Sequence, residues 1–168
     1  MKRPRLSLAT QILAFQLGII LAAVAIAATG MVWAQDDPRI GTWALNVAKS
    51  KYTPGPPPAR EMRTYTALGH TINVSVESVD LHGNRASLRY SAGENGKDYP
   101  MTGLASADAI AMRRINGRTF EADTKKNGKV IGTTRGEISA DGKILMLTFK
   151  SISPAGQAIT NVAVYDKQ

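Results

Sequence analysis

Through much of the chain, apolar and polar side chains alternate one for one. Ile72, Val74 and Val76 oppose Thr71, Asn73, Ser75 and Glu77, and Ala86, Leu88 and Tyr90 oppose Arg85, Ser87 and Arg89. Phe120, Ala122 and Thr124 oppose Thr119, Glu121, Asp123 and Lys125 in the same way. Such alternation puts one face of a β-strand in a dry interior and the other in water. The run Ile144 to Phe149 is apolar on both faces, which suits a strand covered on both sides and leaves its inward register open. No convincing helical period follows the N-terminal apolar stretch.

Turn signals punctuate these runs: Gly69-His70, His82-Gly83-Asn84, Asn95-Gly96, Asn116-Gly117, Asn127-Gly128, Asp141-Gly142 and Pro154-Ala155-Gly156. Asn-Gly and Asp-Gly supply the positive φ angles of a tight hairpin at low steric cost. The spacing predicts strands near 40–45, 60–68, 71–79, 85–91, 97–101, 109–115, 118–125, 129–138, 143–151 and 157–166. A meander this long leaves two unpaired edges unless it closes, so the expected fold is an all-β, antiparallel up-and-down barrel of about 8–10 strands. An open, strongly curled sheet is the alternative. Pro54-Gly55-Pro56-Pro57-Pro58 cannot sit in a central strand and predicts a strap near 53–59 across one barrel end. A lid over a cavity mouth, or a docking site for a proline-recognising groove, is the functional reading of the same segment.

The first predicted strand contains Ile40-Gly41-Thr42-Trp43-Ala44-Leu45. Its Gly41-x-Trp43 resembles the first-strand motif of the lipocalins and the intracellular fatty-acid-binding proteins, two branches of the calycin barrels. The resemblance implies that Gly41 lets the chain enter the barrel tightly, that Trp43 plugs the closed end, and that a small apolar ligand is bound inside. There are departures. Of the Thr-Asp-Tyr that lipocalins carry in a mid-barrel loop only the faintly similar Lys97-Asp98-Tyr99 is found, and no arginine follows Arg135 to cover the tryptophan. Prolines replace the helical lid of the fatty-acid-binding proteins. Their Arg-x-Tyr carboxylate clamp has no counterpart in the last strand, although Arg63-Thr64-Tyr65 has that spacing on another strand. The stretch Gly41 to Pro58 also resembles a set of small exported bacterial proteins of unknown function.

The N-terminus changes the expected compartment. Lys2, Arg3 and Arg5 precede an uncharged stretch from Ile12 that closes on Val32-Trp33-Ala34, the pattern of a secretory signal peptide over 1–34. The expectation is a single lipocalin-like barrel domain over 35–168, periplasmic or secreted. An uncleaved segment would be the chain's one membrane contact. The 168 residues include no cysteine, which removes disulfide staples and cysteine zinc sites from consideration.

Catalytic signatures are missing: there is no nucleophile elbow, phosphate loop or dinucleotide fingerprint. His70 and His82 fall in turns, and the pairs Glu77/Asp80 and Glu121/Asp123 occupy wet strand positions. The chain is therefore read as a non-enzyme without metal or cofactor. With Ile110 and Met112 inward, Arg114 shares their face and requires an internal or a ligand carboxylate. Tyr65, Tyr90, Met112, Arg114, Phe120 and Met146 are the cavity candidates for a small hydrophobic or amphipathic ligand. Arg113, Arg118, Lys125, Lys126 and Lys129 gather on two successive hairpins and carry the alternative, an envelope module that binds a protein or an anionic polymer. Interleaved aromatics for base stacking are missing apart from Phe120, so nucleic acid is not an expected partner.

Overall fold

The computed structural model describes residues 37–153 and 155–168. The expected signal segment and Pro154 of the last predicted turn lie outside the described residues. Among the described residues eleven strands follow one another: β1 (Gly41–Leu45), β2 (Lys51–Thr53), β3 (Arg60–Leu68), β4 (Thr71–Val79), β5 (Arg85–Gly93) and β6 (Asn95–Thr102), then β7 (Ala109–Asn116), β8 (Thr119–Lys126), β9 (Lys129–Ile138), β10 (Ile144–Ile152) and β11 (Ala158–Lys167). From β3 to β11 each strand pairs antiparallel with the next, and β1 closes the ring between β3 and β11. The result is a closed up-and-down barrel, which leaves no strand edge of the meander unpaired.

The short β2 is the strand that alternation does not reveal. It pairs with Thr160–Val162 of β11, on the edge that β1 holds further along at Tyr165–Lys167. Between the two, the chain steps outward through a 3₁₀ turn (Val47–Lys49). Side chains replace the missing ladder bonds there: Asn46 donates to Asp166 at 2.7 Å, and the Val164 amide donates to the Ser50 hydroxyl at 3.0 Å. The prolines then carry the chain from β2 to β3 as a strap at one barrel end.

Register follows from which face must be dry. Tyr65 stands opposite Val74, Val74 opposite Tyr90, and Tyr90 opposite Met101, so these four point into the barrel together. In β10 the odd positions are the inward ones: Leu145 and Leu147 are buried and stand opposite Tyr165 and Ala163. The Asn127-Gly128 hairpin has positive φ at both residues, 49° and 75°, as a type I′ turn requires. At Asn116-Gly117 a register shift and a bond from the Arg118 amide to the Asn116 side chain at 2.8 Å shape the turn instead.

The two barrel ends differ. Residues 37–40 and the turns at 69–70, 117–118 and 139–143 lie at one end, with Glu94 between β5 and β6. Trp43, Ile72, Met112, Phe120, Ile138 and Leu145 fill this end, all buried. A Cβ on Gly136 would come within 2.2 Å of the Phe120 ring, so glycine is what allows the ring to lie against β9. The strap, the loops at 80–84, 103–108 and 127–128, and residues 153 and 155–157 surround the other end.

Candidate functional site

The closed end is held by charge as well as by packing. Arg39, 2 % exposed, uses all three of its side-chain nitrogens: Nε donates to Asp37 at 3.0 Å, Nη1 to Glu94 at 2.6 Å, and Nη2 to Asp37 at 2.5 Å and Glu94 at 2.9 Å. Arg114 donates to the same two carboxylates, with Nε 2.8 Å from Glu94 and Nη2 on Asp37. Burial alone would raise the Asp37 and Glu94 carboxyls, but hydrogen bonds and charge from the two arginines outweigh it and hold both below their ordinary values. The indole N–H of Trp43 donates to the Arg39 carbonyl at 2.8 Å, and the Lys167 ammonium sits 5.1 Å from the indole ring. Lys167 thus supplies the late-chain cation over the tryptophan that no arginine provides.

Phe120 partitions the barrel. On one side the Arg39 guanidinium lies 5.1 Å from its ring centre; on the other, Phe120 and the edge-packed Tyr65, 6.4 Å away, form the floor of a cavity. The cavity has a volume of about 770 Å³, in the range of small-molecule sites. Leu88, Met101, Ile110, Leu147, Phe149 and Ala163 make its wall largely apolar. Leu104 and Ile152, 39 % and 64 % exposed, line it where it reaches the open-end loops.

Ser106, Thr124, Thr134 and Asn161 also reach that wall, but charge enters it at one group. Arg63 Nε donates to Glu61 Oε1 at 2.9 Å and to the Tyr165 hydroxyl at 3.1 Å, while Tyr165 donates to the same Glu61 oxygen at 2.6 Å. Burial opposes the Arg63 cation, but the oxygens of Tyr165 and Glu61 outweigh it and raise the guanidinium above its ordinary value. Burial likewise pushes up the phenols of Tyr165, Tyr90 and Tyr52, keeping them neutral donors. All of these side chains line the cavity.

A scan against protein-family models and a search of curated proteins give no match to this chain. The site is accordingly read from its own residues. Tyr65, Tyr90 and Phe120 line the cavity. Met112 is fully buried at the closed end, and Met146 points away from the barrel interior because the odd positions of β10 face inward. Arg114 lies outside the cavity lining: its β7 position is one pair from the closed-end turn, where Asp37 and Glu94 serve as the carboxylates that it required.

The basic candidates are dispersed by pairing. Arg113 forms a two-bond pair with Asp123 at 2.9 and 3.2 Å, Lys125 meets Asp98 at 2.6 Å, and Lys126 approaches Asp108 at 3.7 Å. Arg118, on a turn, and Lys129, at the start of β9, are exposed at opposite ends of the barrel. Sequence reasoning did not single out Glu61, Tyr52 or Tyr165. Arg63 was noted only for its spacing to Tyr65, yet that spacing carried the signal, because residues 61, 63 and 65 share one face of β3.

Proposed function

We propose that this protein binds a small hydrophobic or amphipathic molecule non-covalently inside its barrel, as an exported, lipocalin-like carrier. The observation that carries this reading is the cavity of about 770 Å³, apolar over most of its wall and interrupted by the Glu61–Arg63–Tyr165 group. A filled barrel would serve stability alone. A largely apolar cavity with a few convergent polar groups is the common form of a site for an oily molecule with a polar head. The calycin-like assignment is supported by the closed meander, by Gly41-x-Trp43 at the start of β1, and by the buried Trp43 under Lys167. Export rests on the pattern of 1–34. The pairing of Arg113, Lys125 and Lys126 with carboxylates weighs against the anionic-polymer alternative.

Native mass spectrometry on protein purified from its producing cells without detergent tests the proposal. A discrete excess mass that disappears on denaturation is expected. A bare polypeptide that also fails to take up any added oily probe would overturn it.

A further inference from the structure

Two arginines of the barrel interior, Arg39 buried and Arg63 half-buried, allow the ligand's head to be specified. Arg39 engages every side-chain nitrogen with a carboxylate, whereas Arg63 spends only Nε on protein partners. Among the described residues nothing accepts a hydrogen bond from Arg63 Nη1 or Nη2, although these carry most of the guanidinium's donors. The side chain lines the cavity and is 20 % exposed. The Tyr90 hydroxyl, also on the cavity wall, has no hydrogen-bond partner among the described residues either. Glu61 keeps one carboxylate oxygen, Oε2, without a hydrogen bond among the described residues, so the unspent donors around Arg63 outnumber the unspent carboxylate acceptor.

That surplus carries no net charge. Glu61 already neutralises Arg63, and the neighbouring tyrosines are neutral. A carboxylate arriving at Nη1 and Nη2 would place a second anion beside Glu61, in an apolar cavity where like charges repel strongly. A carbonyl oxygen of a ketone, quinone or amide accepts the same hydrogen bonds without that penalty. We propose that the cavity selects an oily molecule ending in a neutral hydrogen-bond acceptor, docked on the outer nitrogens of Arg63, and that Glu61 is the residue that excludes carboxylates. The inference rests on the cavity-binding reading and adds the ligand class to it.

Calorimetric titration at neutral pH with methyl undecyl ketone, laurate and dodecane, three alkyl probes differing in the head, tests it on the purified protein. The ketone should bind at least about tenfold more tightly than laurate or dodecane. Glu61→Gln, nearly isosteric, leaves the guanidinium charge uncompensated. It should strengthen laurate binding by about tenfold or more while changing the ketone by less than about threefold. Arg63→Met should abolish the preference for the ketone over dodecane. If that variant does not fold, Glu61→Gln still decides the matter. Laurate binding as tightly as the ketone to the unaltered protein would overturn the inference, and so would a ratio unmoved by Glu61→Gln. Equal binding of all three probes would overturn it while leaving the cavity reading intact, whereas no binding of any probe would overturn the cavity reading itself.

Discussion

At the closed end of the barrel two arginines share two carboxylates and Arg39 spends every side-chain nitrogen on them, while in the cavity a single arginine holds one carboxylate and keeps its outer nitrogens unspent. The packing differs in the same sense. Trp43, Met112 and Leu145 are fully buried at the closed end, while beyond Phe120 the interior opens into the cavity. Charges fully engaged with each other add rigidity and leave nothing for a visitor. Charges partly engaged beside empty apolar space are what a site for a replaceable ligand requires. One half of the barrel is thus filled and shut, and the other keeps the open cavity on which the proposed binding function rests.

Breaking the plug should cost the most. Arg39→Met leaves Asp37 and Glu94 to share Arg114, and should lower unfolding stability by about 3–5 kcal/mol in urea titrations. Arg63→Met should cost clearly less, because Tyr165 still bonds to Glu61. Equal losses from the two substitutions would erase the distinction between the ends. A smaller effect is expected from Gly136→Ala, whose methyl group would strike the Phe120 ring; overpacking of this kind costs about 1–3 kcal/mol. Unchanged stability there would mean that the Phe120 partition yields easily.

Acid sharpens the comparison further. The depressed Asp37 and Glu94 carboxyls contribute stability that is fully present above their ordinary values, 3.8 and 4.5, and is lost as pH falls below them toward their folded-state values. The urea midpoint should therefore decline between about pH 5 and pH 3, and the decline should be shallower in Glu94→Gln. A parallel decline in both proteins would remove Glu94 from the account.

Strand positions were legible because alternation and turn chemistry act locally. The predicted segments agree with β1 and β3 to β11 to within a few residues. β2 was hidden because three residues cannot show a period, and it is defined by its pairing with β11. The apolar run of β10 carried no facing signal, so the inward set of Leu145, Leu147 and Phe149 became clear only from the pairing with β11. In β3 hydropathy was misleading. Apolar Met62 stands on the opposite face from Tyr65, while Glu61 and Arg63 share the tyrosine's inward face and are held there by Tyr165, more than a hundred positions along the chain. The plug carboxylates were equally hidden, since Glu94 meets Arg39 across 55 positions of sequence. Local pattern specifies elements. The partners of a buried charge come from closure of the ring.

The central claim is that the open half of the barrel is a binding cavity, and one titration addresses it most directly. Ala163 lines the cavity opposite Leu147, so Ala163→Phe places a ring in the empty space without touching the plug. The neutral fluorescent probe phenylnaphthylamine should saturate the unaltered protein at one site and bind Ala163→Phe at least about tenfold more weakly, with the thermal midpoints of the two within a few degrees. The absence of saturable binding to the unaltered protein, or equal affinity for both proteins, would contradict the account.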